Sequence, residues 1–115
     1  MEVLLEKIIH KNVSPVMVLF GGNPLRRHEV LKLVQQAGDI TAYGTLSEEE
    51  GLEKIKKLPR VDLVLIGSRY SDIQRQRIKE ITGRLHPGAR FTEPGREYSY
   101  ENSAIKKDIR EKLGW

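Results

Sequence analysis

Two short apolar runs constrain this chain more than anything else in it: Val16 to Phe20, and Val61 to Ile66 with a single aspartate. A half-buried strand alternates apolar and polar residues. A strand that is apolar at nearly every position needs cover on both faces, and a parallel strand between two layers of helices has it. Each run stops at glycine, Gly21-Gly22 and Gly67. A helix-start signal follows each within a few residues.

The rest of the chain falls into step with those two strands. Asn23-Pro24 opens a helix, with Asn as N-cap and Pro at the first helical position. Its apolar face is Val30, Leu31, Leu33, Val34 and Ala37, and Gly38 ends it. Ile40, Ala42 and Leu46 mark a less apolar strand. Ser47-Glu48-Glu49-Glu50 has the pattern of a capping box. The helix it opens carries Leu52, Ile55 and Leu58 and closes at Pro59. Ser71-Asp72-Ile73-Gln74 repeats the pattern before a helix with Ile78, Ile81 and Leu85 on one face, stopped by His86-Pro87-Gly88. Ala89 to Thr92 reads as a fourth strand, Pro94 to Asn102 as an irregular stretch with Tyr98 and Tyr100, and Ser103 to Leu113 as a last helix. Met1 to Lys11 sets Leu4, Leu5, Ile8 and Ile9 opposite Glu6, Lys7 and His10, which predicts an N-terminal amphipathic helix.

Strand–helix alternation with such short links predicts right-handed crossovers and parallel pairing. The expected fold is a three-layer α/β/α sandwich around a four-stranded parallel sheet in the order 2-1-3-4. Residues 1–115 form one Rossmann-like or flavodoxin-like domain, with residues 1–12 as a helix packed on it.

With no cysteine in 115 residues, thiol chemistry and Cys-ligated metals are excluded. No apolar run reaches membrane-spanning length, and no basic-then-apolar leader opens the chain, so a cytoplasmic protein without membrane partners is expected. The net charge is +4. It divides into 9 basic and 8 acidic residues over 1–60 and 11 and 8 over 61–115, so acids stay interspersed throughout. Arg75, Arg77, Lys79 and Arg84 point to different sides of their helix. That pattern predicts a solvated surface and no nucleic-acid partner.

In an open parallel sheet, ligands bind at the carboxyl ends of the strands where the strand order reverses. Two loops meet there, Gly21-Gly22-Asn23-Pro24 and Gly67-Ser68-Arg69-Tyr70-Ser71, each leading into a helix N-terminus that favours an anion. Neither matches a dinucleotide or P-loop motif, and no cofactor is implied. Arg26 and Arg27 project onto the sheet-facing half of their helix, in a first turn where a cation opposes the helix dipole. Either an acid such as Glu93, Glu97 or Asp72 compensates them, or their stems snorkel to water, or Arg26 or Arg27 together with Arg69 holds a phosphate or carboxylate. The candidate anion-binding residues are Gly21, Gly22, Asn23, Arg26, Arg27, Gly67, Ser68, Arg69 and Ser71; Ser71 doubles as an N-cap. His10, His28 and His86 lack metal-ligand spacing, and no G-x-S-x-G elbow accompanies Ser68 or Ser71.

The order of elements over residues 15–113 resembles the response-regulator receiver domain and its flavodoxin-like relatives. That resemblance implies an acidic pair after strand 1 and a phosphoacceptor aspartate after strand 3. Here those places hold Gly21-Gly22 and Gly67, a fifth strand with its lysine is missing, and only Thr92 sits near the place of the switch hydroxyl. The resemblance is therefore to a degenerate receiver without magnesium or phosphoryl-aspartate chemistry.

Without a catalytic set, the leading expectation is a non-enzymatic regulatory or protein-interaction module, with a protein partner or self-association through helix faces. The alternative is a domain binding a small anion or nucleotide at the two loops. An enzyme acting on a phosphorylated small molecule would have only Glu93 and Glu97 as acid or base.

Overall fold

The computed structural model describes residues 7–8, 15–21 and 24–115, the side chains of residues 7, 8, 24 and 26 excepted. Its elements run β1 (Lys7–Ile8), β2 (Val16–Phe20), α1 (Pro24–Ala37), β3 (Thr41–Thr45), α2 (Glu48–Lys57), β4 (Leu63–Ile66), α3 (Asp72–Leu85), β5 (Arg90–Thr92) and α4 (Asn102–Lys112). They form a sheet in the order β1-β3-β2-β4-β5. The four strands β3, β2, β4 and β5 are parallel, and their order is the expected 2-1-3-4.

The apolar runs are buried for the expected reason. Side chains of a strand alternate between faces, so Met17 and Leu19 point one way and Val18 and Phe20 the other. Met17, Leu19, Leu63 and Leu65 join Val30, Leu31 and Val34 of α1 and Ile105 and Ile109 of α4 in one core. Val18, Phe20, Val64 and Ile66 join Ile55 of α2, Ile78 of α3 and Tyr70 in the other. Both runs need apolar residues throughout because both faces are covered.

Local signals close the elements. Ser47 Oγ accepts from the Glu50 amide at 3.1 Å, while the Glu50 carboxylate accepts from the Leu46 amide, one residue earlier than a capping box requires. At α3 the box is complete: Ser71 Oγ accepts from Gln74 N, and the Gln74 side chain accepts from Ser71 N. The interrupting Asp62 takes the N–H of Val16 at the sheet's amino end, at 2.8 Å, and pairs with Arg60.

Two expectations need correction. Of the segment expected as an N-terminal helix, Lys7–Ile8 is a strand, paired antiparallel with β3 at Lys7↔Tyr43 and Ile8↔Ala42; the rest of that helix lies outside the described residues. The outer edge of β3 leaves its ladder groups unpaired, and that nonlocal demand overrides a helical period in the segment that meets it. Among the described residues the sheet therefore has five strands. In α3 the buried stripe is Arg75, Ile78 and Thr82, while Ile81 is half-buried and Leu85 exposed. Among the described residues, no helix is long and apolar enough to cross a membrane.

Candidate functional site

The chain passes from β2 outward to β3 and then back to β4 on the other side of β2, so the carboxyl ends of β2 and β4 border the point where the strand order reverses. Sheet hydrogen bonding continues just past both strands: Gly21 N donates to Thr45 O at 3.0 Å and Gly67 N to Phe20 O at 2.8 Å. Tyr70 then ties the two loops together, its hydroxyl donating to Gly21 O at 2.8 Å. Its ring stands edge-on to Phe20. Burial, with the nearby charges of Glu48 and Glu50, pushes the Tyr70 phenol up to about 12.

Between these loops lies a cavity of about 70 Å³. Leu19, Phe20, Val30 and Leu65 form its apolar floor, and Gly21, Gly67, Ser68, Arg27, Arg69 and Tyr100 line its mouth. One water needs roughly 10–15 Å³ of such space, so the cavity itself has room for a few waters or one phosphate-sized group.

Arg27 owes its place to α1 and β3 together. Its aliphatic stem lies along Gly44, where an added Cβ would come within 3.0 Å of Arg27 Cδ. Its Nε is buried and has no hydrogen-bond partner among the described residues. Such an atom forgoes water without compensation, which costs about 1–3 kcal/mol. The acids the sequence offers as compensators are all engaged elsewhere. Glu93 pairs with Arg75 at 2.8 Å and Lys79 at 2.5 Å, Glu97 with Lys112 at 3.3 Å, and Asp72 with Arg96 at 2.5 Å. Arg69 is exposed and has no acidic partner among the described residues. Arg27 and Arg69 therefore line one small cavity to which no carboxylate among the described residues contributes, beside a helix whose first turn holds no acid.

The second loop is held from behind. Gly67 O accepts from Tyr70 N at 3.4 Å and from Arg75 Nη2 at 2.9 Å, and Arg75 Nε donates to Tyr70 O at 3.1 Å. These bonds fix the turn whose tip is Ser68-Arg69. The tip amides themselves have no hydrogen-bond partner among the described residues. Arg75 is buried against Glu93. Burial alone would raise the Glu93 carboxyl, but the bonds from Lys79 and Arg75 outweigh it and hold the group below the usual carboxylate range.

Of the residues singled out from sequence, Gly21, Arg27, Gly67, Ser68 and Arg69 line one cavity. Ser71 does not line it and serves as the N-cap of α3. Gly22, Asn23 and the Arg26 side chain lie outside the described residues. Tyr100 lines the mouth. Tyr98 instead packs inward, its hydroxyl 2.5 Å from Thr92 Oγ1, which in turn donates to Asp108 at 2.6 Å. Sequence reasoning missed Arg75 and Tyr70. Arg75 left a signal, because it sits on the stripe of Ile78 and Thr82 at helical spacing; a cation on a buried stripe needs an acid across the fold.

Comparison with described protein families, curated proteins and solved structures finds no match for the chain.

Proposed function

We propose that this domain binds a phosphate-sized anion at the carboxyl ends of β2 and β4. The observation that carries the reading is the pair Arg27 and Arg69, which share one cavity while the candidate acids answer other cations. The apolar floor lowers the local dielectric and strengthens each charge-assisted bond. The amides at the tip of the Ser68-Arg69 turn supply further donors, and the positive end of α1 adds to the field.

The receiver-like reading locates the same site and reverses its sign. Where a receiver gathers carboxylates around magnesium, this chain has Gly21 and Gly67 beside two arginines. A site that holds an anion outright has no need of a metal to do so. Thr92, near the place of the switch hydroxyl, is already bonded to Tyr98 and Asp108.

The test is thermal unfolding with phosphate against chloride at matched ionic strength. Phosphate at ten times its Kd adds about 1.4 kcal/mol, which for a chain this size raises Tm by roughly 5 °C. Arg27→Ala is expected to abolish the rise. An equal response in wild type and variant, or none in either, would remove the site.

A further inference from the structure

We infer that the ligand is a phosphomonoester whose organic part carries several hydroxyls, with its phosphoryl group in the cavity between the two loops and its hydroxyls in a second cavity beside it. This rests on the anion reading above and adds the rest of the molecule to it. The first cavity, of about 70 Å³, has room for one phosphate-sized group. The second, of about 290 Å³, is lined by Leu46, Ser47 and Glu48 after β3 and by Arg69, Tyr70 and Gln74 after β4. Arg69 lines both. Tyr70, from the second cavity, donates its hydroxyl to Gly21 O, from the first, at 2.8 Å. An anion held by Arg69 is therefore one side chain away from the second cavity.

The groups in that second cavity select hydroxyls. The Glu48 carboxylate accepts from Arg77 at 2.6 and 2.8 Å and from Gln74 at 3.4 Å. A carboxylate accepts about four such bonds, so one position is left. The bond from Arg77 holds its carboxyl below the usual range, which keeps it an acceptor only. The Ser47 hydroxyl accepts from the Glu50 amide and has no acceptor of its own among the described residues. An acceptor, a free O–H and the guanidinium of Arg69 thus share one cavity. A hydroxyl both donates and accepts, so it can bond each of them. An alkyl group would leave them unpaired, a second phosphate would meet Glu48, and an ammonium would answer Glu48 but neither Ser47 nor Arg69.

The full chain is titrated by calorimetry with inorganic phosphate, butyl phosphate, ribose 5-phosphate and adenosine 5′-phosphate. Ribose 5-phosphate is expected to bind about tenfold tighter than inorganic phosphate, the effect of one added bond to a charged group, and butyl phosphate no tighter. In Glu48→Ala the gain of ribose 5-phosphate is expected to be lost while inorganic phosphate binds as before. The Glu48 pair with Arg77 is at the surface, so the variant folds. Adenosine 5′-phosphate distinguishes two sources of the same chemistry: a further gain assigns a nucleotide, none a sugar phosphate, and either upholds the inference. No gain for ribose 5-phosphate, an equal gain for butyl phosphate, or a gain that survives Glu48→Ala overturns it, while Arg27-dependent binding of inorganic phosphate leaves the anion site standing. Binding of none of the four removes the anion reading and this inference together.

Discussion

Arg27 separates a structural role from a binding role most sharply. A structural arginine is satisfied at rest; this one keeps a buried Nε without a partner among the described residues. Arg27→Met preserves much of the stem that lies along Gly44 and removes the unsatisfied atom. The ligand-free variant is expected to be as stable as wild type or about 1 kcal/mol more so, and to lose its response to phosphate; denaturant unfolding with and without phosphate reads both. Glu93 is the opposite case, a buried acid with two cations. Glu93→Gln leaves Arg75 uncompensated and is expected to cost about 3 kcal/mol. The pH dependence follows from its depressed folded value. The contribution is complete above the ordinary glutamate pKa, about 4.3, and is lost as pH falls through the lower folded value. Stability against pH should therefore fall more steeply on the acid side in wild type than in Glu93→Gln.

Among the elements, legibility followed the range of the interaction that fixes each one. The cap at Ser71 was readable because Ser71 and Gln74 answer each other within one turn, and β2 and β4 because cover on both faces dictates their composition. The strand at Lys7–Ile8 was not readable, because its cause is the open edge of β3, more than thirty residues away. The site divides in the same way. Its loops and Arg27 followed from strand–helix order and helical projection, whereas the Arg75–Glu93 pair is made across 18 residues by tertiary packing. Gly51 shows what local propensity conceals. It sits mid-helix in α2, where alanine ordinarily gains about 1 kcal/mol, yet an added Cβ would come within 2.1 Å of Phe20 Cε2. Gly51→Ala is expected to destabilise the fold by about 1–3 kcal/mol net, measured by chemical unfolding, with the near-ultraviolet signal of the aromatic residues altered.

For the whole molecule, the two cores lie back to back across the sheet, and the site occupies the sheet's carboxyl edge, where α1 and α3 set out on opposite faces. Burial at that end and beside β5 pushes the phenols of Tyr70 and Tyr98 up to about 12. A raised folded value means that stability is complete below the ordinary tyrosine pKa, about 10, and is lost as pH rises through the folded one. Spectroscopic titration is expected to show Tyr70 and Tyr98 ionising late, together with alkaline unfolding. Ionisation of Tyr70 and Tyr98 near the ordinary value while the chain stays folded would contradict the packing described. The proposed anion site is tested most directly by titrating phosphate into the ¹⁵N-labelled chain and following its backbone amides. Saturable shifts are expected, centred on Gly21, Arg27, Gly67, Ser68 and Arg69, absent with chloride and absent in Arg27→Ala. Shifts scattered over the lysine-bearing surfaces, or none at the ends of β2 and β4, would contradict it.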